Sequence, residues 1–140
     1  MPESRSADSV RLAALQARVD TLYNEYTFPV LATIRAGEDP AAVALEDRLL
    51  EAAQAVRIRV RRYILPASVS RADLELLIRE INADFLLSAL FLVEPIPSAL
   101  DPAALAELIL PGKRIAAPGE QADPLTLLNR VADAAERNAR

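Results

Sequence analysis

Residues 29–40 read PVLATIRAGEDP, and their reading decides the fold. Pro29 to Ala36 is apolar and β-branched, the composition of a strand. It runs into Gly37-Glu38-Asp39-Pro40, where Asp39 can cap a helix opened by Pro40. Strand, tight turn and helix follow in that order. The helix extends to about Arg57, with Leu45, Leu49, Ala52 and Val56 on one stripe.

Downstream, the same alternation repeats. Ile58 to Leu65 places Ile58, Val60 and Arg62 on one side and Arg59, Arg61 and Tyr63 on the other, as in an edge strand with one wet face. Ser70 with Asp73 forms a capping box ahead of Leu74, Leu77, Ile78 and Ile81 at helical spacing. A third strand, Ala89 to Val93, ends in Glu94-Pro95-Ile96-Pro97, whose prolines forbid a continued ladder. Asp101-Pro102 and Asp123-Pro124 repeat the cap-plus-proline start and open helices to about Leu110 and Glu136. Pro111 to Ala122 reads as a linker or mobile loop. Upstream, residues 1–8 are expected to be disordered, and Asp8 to Glu25 forms an amphipathic helix capped by Asp8 or Ser9. Strands alternating with helices predict a small α/β layer domain with a parallel sheet of about three strands flanked by helices.

Composition bounds the chemistry. The chain has 140 residues, 52% of them hydrophobic, enough for one domain with a substantial core. With no cysteine and no histidine, it has no thiolate nucleophile, no Ser-His or Cys-His pair and no Cys-ligated zinc. No metal site is expected, and the Glu46-Asp47 pair diverges on its helix. The net charge is −4, and the basic residues are scattered among acids, which argues against a nucleic-acid partner. No apolar run is long enough to span a bilayer, so a cytoplasmic protein without membrane contact is expected. All sixteen basic residues except Lys113 are arginine, a composition typical of GC-rich bacterial genes.

From Pro29 to Pro118 the sequence resembles the amino-terminal domain of the bifunctional methylenetetrahydrofolate dehydrogenase/cyclohydrolase family. The resemblance is carried by Leu31-Ala32-Thr33-Ile34, Gly37-Glu38-Asp39-Pro40-Ala41, Tyr63-Ile64-Leu65-Pro66, Ile81-Asn82-Ala83-Asp84 and Pro95-Ile96-Pro97, in one order and without a gap. Residues 9–118 are assigned to this domain. Residues 119–140, through Leu127-Leu128-Asn129 and Ala134-Ala135-Glu136-Arg137, resemble the family's carboxy-terminal helix, which implies a helix packing back on the same domain. Between these two matches the family carries a Rossmann domain, for which this chain has no room. Its only glycines, Gly37, Gly112 and Gly119, cannot form a Gly-x-Gly-x-x-Gly loop, so no cofactor is expected.

The resemblance also implies which side chains the reaction needs. The family presents a Tyr that stacks on folate and, four residues later, a Lys that assists proton transfer; the matching positions here are Leu45 and Leu49. The Gln ending the third strand is matched by Val93, and the Asp of the loop that follows Lys113 by Ala116. No catalytic residue is therefore expected. Leu45, Leu49, Val93, Glu94 and Pro95 define a candidate ligand cleft, with Glu94 at the carboxyl end of a strand, where α/β folds place ligands. Lys113 and Glu94 each also read simply as solvated charges, and Leu45 and Leu49 as core. These features predict a non-catalytic pseudoenzyme that acts by dimerising or by binding another protein. The alternative is a repurposed small-molecule-binding protein or enzyme of a specialised biosynthetic pathway, using the remodelled cleft. A homodimer is expected through Pro95 to Leu100 and Ile109 to Ala117, where Leu108, Ile109, Leu110 and Ile115 need cover.

Overall fold

Strands β1 (Val30–Ala36), β2 (Arg59–Leu65) and β3 (Ala89–Leu92) form one parallel sheet in the order β2-β1-β3. The computed structural model describes residues 2–139, so Met1 and Arg140 lie outside the described residues. Register is set by pairs such as Leu31 with Val60 and Ala89, and Thr33 with Arg62 and Phe91. The strand β1, buried along nearly its whole length, takes the centre, and the arginine-rich β2 takes an edge, as its alternation predicts.

Helices α1 (Pro2–Asn24), α2 (Pro40–Val56) and α5 (Pro124–Asn138) cover one face of the sheet; α3 (Arg71–Ala83) and α4 (Pro102–Leu108) cover the other. Side-chain alternation along β1 feeds both cores: Leu31 joins the first with Leu49, Val56 and Leu128, while Ala32 and Ile34 join the second with Leu74, Ile78 and Leu105. Each core therefore has its own helices, and the domain is a three-layer α/β fold. The predicted caps are in place: Asp39 accepts from the Ala41 N–H at 2.9 Å, Ser70 from Asp73 at 3.1 Å, Asp101 from Ala104 at 3.3 Å and Asp123 from Thr126 at 2.8 Å.

The carboxy-terminal helix α5 packs on this domain, burying Leu127, Leu128, Val131 and Ala132. Arg11 and Arg18 of α1 bond across to Asp123 and to Asp133 and Glu136. Only residues 115–123 connect α5 to the bridge that Arg114 forms with Leu90.

Two expectations need correction. The backbone of α1 is helical from Pro2, not from Asp8: proline is tolerated in a first helical turn, and no glycine or second proline interrupts residues 3–8. The face through Ile109 to Ala117 is not left uncovered. Ile109 is buried in the second core and Ile115 in the first, Leu108 is half-buried, and only Leu110 is exposed. Those two isoleucines are covered on opposite faces of the sheet, which a contact prediction based on one continuous segment could not anticipate.

Candidate functional site

The carboxyl ends of parallel strands are where backbone turns away from the sheet and leaves a crevice. Here β3 ends at Leu92, and the chain leaves it through Val93 and Glu94. A cleft of about 690 Å³ opens at this end between α2, the chain after β3 and the connection to α5. Its walls are mainly apolar, including Leu45, Phe91, Pro95, Ile96 and Pro124, with Arg48 among the residues lining it.

Glu94 is half-buried in this cleft, and its Oε2 accepts the Gly119 backbone N–H at 2.9 Å. Gly119 has a φ of +78°, a left-handed conformation that glycine adopts without strain. The connection is further held by Glu120, which accepts the Ala117 N–H at 3.0 Å and pairs with Arg130 at 2.7 Å. These partners, the backbone N–H first and Arg130 second, hold the Glu120 carboxyl below its ordinary range. Asp123, which also lines the cleft, is lowered to about 2 by the Arg11 guanidinium and the Thr126 backbone N–H. Among the described residues, Glu94 is thus the cleft carboxylate that is not paired to an arginine. It is a hydrogen-bond acceptor facing an apolar hollow.

The five residues expected to line one cleft divide into two groups. Leu45, Glu94 and Pro95 line it; Leu49 and Val93 are buried in the first core instead. The helical stripe explains the division, since Leu49 points with Ala53 and Val56 into the sheet while Leu45 is half-buried at its rim. Ala116 is half-buried against the same core and does not line this cleft.

Lys113 departs from its reading as a solvated charge. Only 6% of it is exposed, and its Nζ donates to the carbonyls of Ile81 and Asp84, each at 2.6 Å. These are carbonyls at the carboxyl end of α3, where a cation is favoured. Burial pushes the lysine below its ordinary value, and Asp84 acts in the other direction. Lys113 therefore anchors the start of the connection that closes the cleft.

A second polar cluster was not anticipated. Glu46 on α2 has no exposed surface; its carboxylate accepts from Arg35 Nε at 3.0 Å, Arg62 Nη2 at 2.8 Å and Thr33 Oγ1 at 3.3 Å. Arg35 also donates to the Gly37 carbonyl at 2.8 Å, so the cluster fixes the turn between β1 and α2. The pattern carried a signal: an arginine inside an otherwise apolar central strand needs a buried acceptor. Among the described residues there is no group of three or more His, Cys, Asp or Glu placed to hold a metal ion. No helix among them is long and apolar enough to cross a membrane.

Comparison with known proteins places this geometry in context. The family model "Tetrahydrofolate dehydrogenase/cyclohydrolase, catalytic domain" matches residues 4–115. The Bifunctional protein FolD of Gluconacetobacter diazotrophicus is 32% identical over 126 residues, covering 85% of this chain and 40% of that protein. That of Maridesulfovibrio salexigens is 35% identical over 102 residues, covering 72% of this chain and 36% of that protein. The chain thus spans about 40% or less of the length of these relatives. Among solved structures, the FolD methylenetetrahydrofolate dehydrogenase-cyclohydrolase of Trypanosoma brucei, complexed with NADP cofactor and inhibitor, superposes with a TM-score of 0.73. It is 25% identical, over 78% of this chain and 37% of that one. The Campylobacter jejuni enzyme gives a TM-score of 0.75 at 20% identity over 79% of this chain and 39% of that one, a likeness of fold.

Proposed function

The chain belongs to the tetrahydrofolate dehydrogenase/cyclohydrolase family through its catalytic domain, and from that premise we propose that it is a non-catalytic member acting through protein association. One observation carries the reading: the helix position where the family needs a proton-transferring lysine holds Leu49, which is wholly buried in the core. Loss of a positioned general acid/base removes roughly 10²- to 10⁴-fold in rate. Leu45 in place of the stacking tyrosine, Val93 buried in place of the strand-end glutamine and Ala116 in place of the loop aspartate support the same conclusion. Glu94 alone does not restore the lost set, because the other carboxylates lining the cleft, Glu120 and Asp123, are engaged by Arg130 and Arg11. The reading retains a cytoplasmic location and association with a second copy or another protein.

A second reading is favoured by the cleft itself. A hollow of about 690 Å³ with mainly apolar walls and a few polar groups, among them Glu94 with no arginine paired to it among the described residues, has the size and lining of a small-molecule site. In that reading Leu45, Glu94 and Pro95 hold a non-folate ligand bearing an N–H donor. Thermal melts test what both readings require, that the cleft no longer recognises folate. A reduced folate at millimolar concentration is expected to leave the melting temperature unchanged. A dose-dependent rise abolished by Leu45→Arg would mean that folate recognition survives and would contradict both readings.

A further inference from the structure

At the opposite end of the sheet from the cleft, the residues that precede the three strands surround a second hollow of about 690 Å³. Its lining includes Tyr26, Phe28, Phe85 and Leu86, which are 85%, 52%, 92% and 67% exposed. The chain has three tyrosines and three phenylalanines in all, so Tyr26, Phe28 and Phe85 are half of its aromatic residues, left in water at one place. Exposed aromatic clusters of this kind mark contact surfaces.

Backbone strain points to the same place. Helix α1 ends in a Schellman turn, with the Tyr26 N–H on the Tyr23 carbonyl at 3.0 Å and the Thr27 N–H on the Leu22 carbonyl at 2.8 Å. The residue in the left-handed position, normally glycine, is Tyr26, with φ of 58°. A bulky ring held in a strained conformation and exposed to solvent contributes nothing to the fold that glycine would not supply better.

Charge identifies the occupant. Arg59 and Arg61 line the hollow, Arg61 with Asp84 beside it at 3.4 Å, and no Asp or Glu is in the lining among the described residues, although acids outnumber bases in the chain, 20 to 16. Both arginines lie on β2, which among the described residues has β1 as its only strand neighbour, so its outer edge is open to an added strand. A two-fold contact with a second copy brings the same arginine-bearing, acid-free lining against itself. An acidic segment faces no such repulsion. We propose that this hollow, with the outer edge of β2, docks an extended acidic segment of a partner protein whose apolar side chains sit on Tyr26, Phe28 and Phe85. The proposal rests on the protein-association reading above and supplies its surface and its partner chemistry.

The test is fluorescence anisotropy on the whole protein, using a labelled peptide that alternates Glu with Val and Phe and a counterpart with Lys in place of every Glu, with sedimentation velocity in parallel. Binding of the Glu peptide alone is expected, weakened by about tenfold or more in Arg59→Glu/Arg61→Glu and in Phe85→Ser, a change at a fully solvated side chain. Tyr26→Gly is expected to weaken binding without lowering the melting temperature. No saturable binding of the Glu peptide, or equal binding of the Lys peptide, overturns the proposal. So does a concentration-dependent dimer that Phe85→Ser dissolves, which would assign the hollow to a second copy and leave the association reading standing. Folate turnover would instead defeat the reading of the cleft, independently of any peptide result.

Discussion

The Gly119 backbone N–H donates to Glu94 Oε2 at 2.9 Å, tying the connection before α5 to the end of the third strand's exit. This bond stands at the mouth of the cleft, so it sets how open the cleft is. Glu94→Ala is expected to cost no more than about 1 kcal/mol, the net worth of an accessible hydrogen bond. Local opening is expected to change more than global stability. Limited proteolysis should therefore cut residues 117–123 several-fold faster in the variant, while its urea midpoint stays within error. Equal cutting rates would show that the Glu120–Arg130 pair alone holds the segment.

Leu49→Lys restores the residue type the family uses, yet it is expected to destabilise the fold by about 3 kcal/mol or more. The substitution removes a wholly buried leucine and puts an ammonium into the first core, where the buried carboxylate one turn away, Glu46, is already engaged by Arg35 and Arg62. Urea denaturation measures this directly. An unchanged midpoint would mean that α2 can rotate to present position 49 to the cleft.

Lys113→Met keeps length and apolar stem but removes the donor that reaches the Ile81 and Asp84 carbonyls. A loss of about 1–3 kcal/mol is expected, since two short charge-assisted bonds at a helix end disappear. Lys113→Arg is not expected to rescue it, because the planar guanidinium does not fit a site built around a compact ammonium. Full rescue by arginine would show that charge alone matters.

Asp123 carries a pH signature. Its carboxyl titrates at about 2 in the folded chain, against 3.8 as its ordinary value. Between those values the unfolded chain binds the proton and the folded chain does not, so stability rises with pH and is lost as pH falls through this window. Asp123 is half exposed, and after allowance for solvent screening its share is on the order of 0.5–1 kcal/mol. Asp123→Asn keeps the cap and is expected to flatten the stability profile between pH 4 and 2 by that amount in acid denaturation. An unaltered slope would assign the loss to other carboxylates.

The sequence made the scaffold legible wherever local chemistry is sufficient. Asp39, Asp101 and Asp123 before proline, and Ser70 before Asp73, each fix a helix start within a few residues. Alternation in β2 placed it at an edge. Long-range burial was not legible. Ile109 and Ile115 are near neighbours in sequence yet belong to different cores, because the chain crosses the edge of the sheet between them. Lys113 looked solvated because its partners are backbone carbonyls, which have no sequence signature. Leu45 and Leu49 share a stripe in a helical projection; only packing against β1 shows that the first is at the rim and the second is inside.

The most direct test of a non-catalytic family member is hydrolysis of methenyltetrahydrofolate, followed by absorbance, with the purified protein at micromolar concentration beside one of the FolD relatives it resembles. A rate indistinguishable from buffer is predicted, unchanged in Glu94→Gln. Turnover at even about 1% of the relative's rate, the most that loss of a general acid/base worth roughly 10²- to 10⁴-fold leaves, and abolished by Glu94→Gln, would contradict the prediction and make Glu94 the catalytic group of a rebuilt site.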